Sequence, residues 1–269
     1  MIQVSFITVT MNSRKTIEPL FNSFLKLIGK KIRFEYIVVD NCSSDGTPSF
    51  IEENYSFVKL IKNKEIKGFA ENNNIAIKAS TGGLVALINP DIEFLPGAID
   101  LILSYMEANP DVGLVGPMLL NADRSLQNSA RRFLNFKLAF FRLLTLGNDK
   151  VPIKSIRTYL SSYDTSVESQ DVDWVIGAAM FVRRQALENV GLLDQKFFLY
   201  IEDQDWCFQM WKNGWRVKYV TSAKLIHDHQ RTSARKLSKK TLWHVQSIFY
   251  FLKKNFLFKK GIKKDFTAS

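Results

Sequence analysis

Apolar positions follow two rhythms along the chain, and the rhythms alternate. Val4 to Thr10 (VSFITVT) is a short β-branched run suited to a buried strand. Asn12 and Ser13 offer helix caps, and Ile17, Leu20, Phe21, Phe24, Leu25 and Ile28 then recur at helical spacing until Gly29. The change repeats. Phe34 to Asp40 (FEYIVVD) predicts a second strand, and Pro48 opens a helix to about Asn54. Val58 to Asn63 predicts a third strand, and Phe69 to Ser80 a helix weakened by three asparagines. Leu84 to Asn89 predicts a fourth strand, Pro96 to Asn109 a helix, and Val112 to Leu120 a fifth strand. Strand and helix alternate four times, which predicts an α/β fold: a Rossmann-like, mostly parallel sheet with helices on both faces.

The second half is less regular. Residues 124–170 have weak periodicity, with a helix expected at about 135–146 and a mobile loop after it. Trp174 to Arg184 (WVIGAAMFVRR) reads as one strand, Arg184 to Val190 as a short helix, Asp203 to Asn213 as a helix closed by Gly214, and Trp215 to Val220 as a strand. No repeat and no low-complexity linker interrupts residues 1–235, which are expected to form one continuous domain. From Lys236 the chain is a basic, aromatic tail with helical spacing.

In sheets of this kind ligands bind outside the carboxyl ends of the strands. Thr10 to Asn12, Asp40 to Ser44 and Asn89 to Glu93 all fall on that edge. Pro90 cannot donate a ladder hydrogen bond, so the fourth strand stops and Asp91 and Glu93 lie just beyond it. Turn chemistry explains Asn-Pro-Asp by itself; the alternative is a hard divalent cation held by one or two carboxylates plus phosphate oxygens. Asp40 with Asn41 reads either as an Asx turn or, with Ser43 and Ser44, as a contact to a base or ribose. Gly68 permits close backbone approach, and Asn73 offers an amide for a base edge or for fixing a loop.

Glu202, Asp203 and Asp205 open a helix behind a run of apolar and aromatic residues. The helix dipole accounts for one such carboxylate. A cluster in that setting suggests a partly desolvated general base. His227 and His229 flank Asp228 on an extended segment, which puts both rings on one side. Arg231, Thr232, Ser233 and Arg235 follow, either as phosphate donors or as a solvated basic loop.

Composition narrows the partners. Of 269 residues, 46% are hydrophobic and 23% charged, as in ordinary globular proteins, but the net charge is +11. That excess points to a polyanionic partner. The lysines concentrate in the tail rather than among base-reading residues, which argues against nucleic acid. In the tail, Trp243, Phe249, Phe256 and Phe258 read equally as packing on the domain or as anchors at an anionic membrane surface. No apolar run approaches the roughly 20 residues of a membrane span. MIQVSFITVT lacks the marks of a signal peptide, and Cys42 and Cys207, far apart, fit a reducing compartment.

Eight stretches, in order, carry a resemblance: TVTMNS, YIVVDNCSSDGT, NKEIKGFAENNNIAI, ALINPDIEFLPGAI, NPDVGLVGPMLLNADRSLQNSARRF, DVDWVIGAAMFVRR, VGLLDQKFFLYIEDQDWCFQMWKNGWRVKYV and LIHDH. Together, over about residues 4–235, they resemble a family 2 glycosyltransferase of the GT-A fold. The likeness is to the bacterial rhamnosyltransferase-like branch that builds O-antigen, capsule and cell-wall glycans. The resemblance implies a nucleotide-binding half (1–120), an acceptor-binding half (121–235) and a separate tail (236–269). It implies that Thr10, Asn12, Asp40, Ser43, Gly68, Asn73 and Asn89 hold the nucleotide. Asp91, in the position of the Asp-x-Asp motif whose first Asp is Asn89 here, would bind Mg²⁺ or Mn²⁺ with His227. Trp174, Gly177, Ala178 and Glu202 would line the sugar and acceptor pocket, and Arg231 and Ser233 would meet the diphosphate. Asp203 would be the catalytic base. Asp228-His229-Gln230 departs from the glycines that often follow this His.

The implied reaction is an inverting transfer from a nucleotide-diphospho-sugar, dTDP-rhamnose or a UDP-sugar, to a glycan or lipid-linked acceptor. The implied place is the cytoplasm or the inner face of the plasma membrane. The rival is a sugar nucleotidyltransferase using the same strand edge; it would want a glycine-rich loop after the first strand, and TMNSRKT has no glycine.

Overall fold

The computed structural model of the chain describes residues 2–133, 163–197, 200–228 and 239–257. The helix expected at 135–146 and the loop after it lie outside these residues, as do His229, Arg231, Thr232, Ser233 and Arg235. The first half runs β1 (Val4–Thr10), α1 (Arg14–Leu27), β2 (Phe34–Asp40), α2 (Thr47–Asn54), β3 (Val58–Lys62), α3 (Phe69–Lys78), β4 (Leu84–Ile88), β5 (Ile92–Phe94), α4 (Ala98–Ala108) and β6 (Val112–Leu120). The second runs β7 (Ala130–Arg131), β8 (Ser169–Asp171), β9 (Trp174–Val175), β10 (Ala179–Arg183), α5 (Arg184–Val190), α6 (Glu202–Lys212), β11 (Arg216–His227) and α7 (Lys239–Leu252).

The main sheet has the order β3-β2-β1-β4-β10-β6-β11-β5, with β8 beside β11. Strands β3, β2, β1 and β4 are parallel, and so are β6 and β11. Between the two blocks β10 runs antiparallel to both β4 and β6. Because side chains alternate along a strand, the sheet feeds two cores. Phe6, Tyr36, Val38, Ala86 and Phe181 face α1 and α4, through Ile17, Leu20, Phe24, Ile102 and Met106. Ile7, Ile37, Val39, Val85 and Val182 face the other way, toward α3, α5, α6 and α7. Both faces are covered, so β4 and most of β1 and β2 are apolar, whereas the edge strand β3 carries exposed Lys59 and Lys62.

Three features differ from the reading of the sequence. Trp174 to Arg184 is not one strand. β9 pairs with β7 in a separate two-stranded sheet, Ile176 to Ala178 turn, and β10 enters the main sheet. The apolar run is continuous because both pieces are buried, so nothing in it marks the change of sheet. Beyond Asn89 the chain makes a further short strand, β5, antiparallel to the end of β11, which itself extends to His227 rather than stopping at Val220. Ser13 occupies the position before α1, but its hydroxyl accepts from the N–H of Met11 and does not cap the helix. Gly214 closes α6 with a left-handed φ of 82°, as the pattern predicts. No helix among the described residues is long and apolar enough to cross a membrane.

Candidate functional site

The carboxyl ends of β1 and β2 form the first corner. In register Thr10 pairs with Asp40, and the Thr10 hydroxyl donates to Asp40 Oδ1 at 2.8 Å. Asp40 Oδ2 accepts the N–H of Ser43 at 2.9 Å, three residues on and so one residue beyond the partner of an Asx turn. Each oxygen keeps a second lone pair for a further donor. Asn12 takes a left-handed φ of 54°. Its N–H donates to Ser43 Oγ and its Oδ1 accepts the N–H of Ser44, both at 2.8 Å. The two loops are thereby tied into one concave edge.

The three asparagines of α3 each hold a loop or a neighbouring turn. Asn72 donates to the carbonyls of Lys67 and Gly68, and Asn74 exchanges two hydrogen bonds with the backbone of Leu193. Asn73 donates to Phe69 O, one turn back in its own helix. Gly68, just before α3, has ordinary extended dihedrals (φ −70°, ψ 166°), so its backbone does not itself demand glycine.

The second corner joins the ends of β4 and β11. Asp228 N–H donates to Asp91 O at 3.0 Å, and His227 Nε2 stands 3.4 Å from Asp91 Oδ1. Asp91 Oδ1 is buried and meets no hydrogen-bond donor among the described residues. A buried carboxylate oxygen without a donor is costly. Beside an imidazole nitrogen it fits a divalent cation that takes O and N ligands. Among the described residues no cluster of three or more His, Cys, Asp or Glu could hold a metal. Glu93 lies exposed on β5. Gln127, not singled out in the sequence, contacts His227 Nδ1 at 2.9 Å from behind.

The third corner is reached through the turn between β9 and β10. Asn89 N–H donates to Ala178 O at 2.8 Å, and Gly177 N–H donates to Asp203 Oδ2 at 2.8 Å. One short hydrogen-bonded path thus connects the Asp91 loop to Asp203. A Cβ on Gly177 would come within 3.3 Å of the Phe69 ring and 3.4 Å of Asp203 Cβ. Tyr200 and Ile201 precede α6 with φ of 68° and 72°, a strained pair that aims the helix start.

The three carboxylates at that start divide. Asp205 is buried in an ion pair with Lys254 at 2.7 Å and accepts from Asn255 at 3.0 Å, which gives it a structural role. Burial pushes the carboxyls of Glu202 and Asp203 up, Glu202 well above the ordinary range with the charge of Asp203 adding. The N–H groups of Gly177 and Gln204 and the charge of Arg131 oppose the rise at Asp203. Arg131, also missed in the sequence, sits 5.5 Å over the Trp174 ring. Trp174 itself is fixed by Nε1 donating to Arg132 O at 2.8 Å.

The Glycosyl transferase family 2 model matches residues 5–191. The N-acetylglucosaminyl-diphospho-decaprenol L-rhamnosyltransferase of Mycobacterium tuberculosis (strain ATCC 25618 / H37Rv) is 29% identical over 232 residues, covering 80% of this chain and 73% of that protein. Rhamnosyltransferase WbbL of Escherichia coli (strain K12) is 28% identical over 198 residues, 70% of each. Among solved structures, GalNAc-T7 with UDP, GalNAc and Mn²⁺ superposes with a TM-score of 0.70 at 15% identity, over 93% of this chain and 48% of that one. S. aureus TarS 1-349 in complex with UDP-GlcNAc does so with a TM-score of 0.60 at 18% identity, over 88% and 61%. The chain therefore spans about half to three-fifths of these two solved proteins, and the likeness to them is one of fold. Since the family match takes in more than half of the chain, the protein belongs to glycosyl transferase family 2, with the GT-A fold and the rhamnosyltransferases among its relatives.

Proposed function

We propose that the protein is an inverting, metal-dependent glycosyltransferase. It moves a sugar from a nucleotide-diphospho-sugar to a hydroxyl of a growing, lipid-linked cell-surface glycan at the cytoplasmic face of the membrane. The names of the two rhamnosyltransferase relatives favour rhamnose as the sugar. In this reading Thr10, Asn12, Asp40, Ser43, Gly68, Asn73 and Asn89 bind the nucleotide. Asp91 and His227 hold the cation, and Trp174, Gly177, Ala178 and Glu202 line the sugar and acceptor pocket. Arg231 and Ser233 are assigned to the diphosphate from the sequence alone. A divalent cation there supplies positive charge against the leaving diphosphate.

Asp203 takes the proton of the acceptor hydroxyl. The acceptor oxygen's electron pair forms the new bond to the anomeric carbon as the bond to the diphosphate breaks, and the nucleoside diphosphate leaves with the electrons of that broken bond. The observation that carries the reading is the path from Asn89 through Ala178 and Gly177 to Asp203. It keeps the base near Asp91 yet on a different loop. Gly177 N–H holds the Oδ2 of the base, and the apolar surroundings raise its basicity. D203N should lower sugar transfer by at least about 10³-fold while donor affinity, measured calorimetrically, stays within a few fold. A variant that transfers sugar at the normal rate removes Asp203 from this role.

A further inference from the structure

Gln127 packs its amide against the ring of His227. The pairing of His227 Nδ1 with Gln127 Oε1 leaves direction open when taken alone. The neighbours of Gln127 close the question. Its Nε2 stands 2.8 Å from the carbonyl oxygen of His227. A carbonyl only accepts, so the NH₂ end of the amide must face it, and the oxygen end faces Nδ1.

A second line of evidence runs from the surface inward. The Ser125 hydroxyl donates to the Asp123 carboxylate, whose affinity for protons is held below the usual range by that bond. Its one hydrogen spent, Ser125 Oγ accepts from Asn121 Nδ2 at 2.8 Å. Asn121 Oδ1 then accepts Gln127 Nε2–H at 2.8 Å. Both lines give the amide one orientation, and an amide oxygen at Nδ1 requires Nδ1–H.

We propose that Gln127 is a positioning residue that locks His227 in the Nδ1–H tautomer, so that Nε2 turns its lone pair toward Asp91 Oδ1. The other tautomer would let Nε2–H donate to that oxygen and close the pair to a cation. This rests on the cation reading of Asp91 and His227 given above.

The test uses the whole chain, metal-free, at mildly alkaline pH, with ¹⁵N-labelled histidine and long-range ¹H–¹⁵N spectra. The chain has three histidines, and H227Q identifies the signal. The expected wild-type pattern is Nδ1–H with a bare Nε2. Q127M, close to isosteric but without an acceptor, should shift toward Nε2–H and lose about 10–100-fold in Mn²⁺ affinity by calorimetry. Q127E keeps an acceptor at Nδ1 and should keep the wild-type tautomer, at a cost in stability because its second oxygen faces the two carbonyl oxygens that Nε2 serves. An Nε2–H tautomer in the wild type overturns the proposal without any variant. So does a Q127M protein that keeps wild-type tautomer and affinity, or, should Q127M not fold, a Q127E protein that loses the tautomer. A wild type that shows Nδ1–H but binds no Mn²⁺ sinks the cation reading and leaves the hold of Gln127 on the ring supported.

Discussion

Glu202 and Asp203 are adjacent, and burial lifts both carboxyls; the N–H groups of Gly177 and Gln204, at 2.8 Å, oppose the rise at Asp203, and those of Tyr200 and Glu202 oppose it at Glu202. Glu202 Oε2 is buried without a donor among the described residues, and the charge of Asp203 adds to the burial, so the rise wins. Its proton affinity is higher folded than unfolded, so the folded chain binds more protons. The contribution of this group to stability is then largest in acid and falls as pH climbs from the ordinary carboxylate range through the raised value. E202Q removes that slope. Its melting temperature should decline less between acid and neutral pH than that of the wild type, and exceed it at neutral pH. Scanning calorimetry across that range decides; parallel curves would show that Glu202 does not carry this penalty. At this scale the sequence exposed Asp203, because carboxylates behind apolar residues stand out. It did not expose Gln127 or Arg131, since a lone amide or arginine in a polar stretch carries no periodic or compositional mark.

Helix α6 is gripped from the far end of the chain. Lys254, in the π-helical segment Lys253–Leu257 that follows α7, lies 2.7 Å from both Asp194 and Asp205, and Tyr250 donates to Asp194. Asp205 is only 2% exposed, so K254M would strand a buried carboxylate. The expected cost is about 3 kcal/mol in urea unfolding, the low end for a broken buried pair because Lys254 is itself partly exposed. Adding D205N should recover most of it; an unrecovered loss would mean that packing, not charge, is the cause. The long elements here were legible because each buries one face or both and so keeps its apolar rhythm. Strands β5 and β9, with three and two residues, are too short to show any period. The border between β9 and β10 lies inside an apolar run that is buried on both sides.

Charge is divided unevenly over the whole molecule. From residue 236 onward there are nine lysines and one acid, so most of the +11 resides in the tail. The inner face of α7 is committed to the core through Ile248, Phe251 and Leu252, whereas Phe249 is 59% exposed. Both readings of the tail thus have residues to use, and the outward Phe249 with the lysines of the sequence belongs to the proposal of a peripheral membrane enzyme. Vesicles with anionic phospholipid should sediment the protein at low salt and release it at high salt. Replacing Lys259, Lys260, Lys263 and Lys264 with Gln should weaken that binding by up to about 10³-fold, at ~1 kcal/mol per lysine. Equal sedimentation with uncharged vesicles would remove the electrostatic anchor.

The antiparallel β10 has a consequence for synthesis. It fills the gap between β4 and β6, both of which leave the ribosome much earlier. Until Arg183 has emerged, each of those strands presents a bare ladder to its surroundings, a liability for any nascent chain. The early part of the polypeptide must therefore wait for the later part before its sheet is sealed, and a shortened product ending near residue 120 would be born sticky.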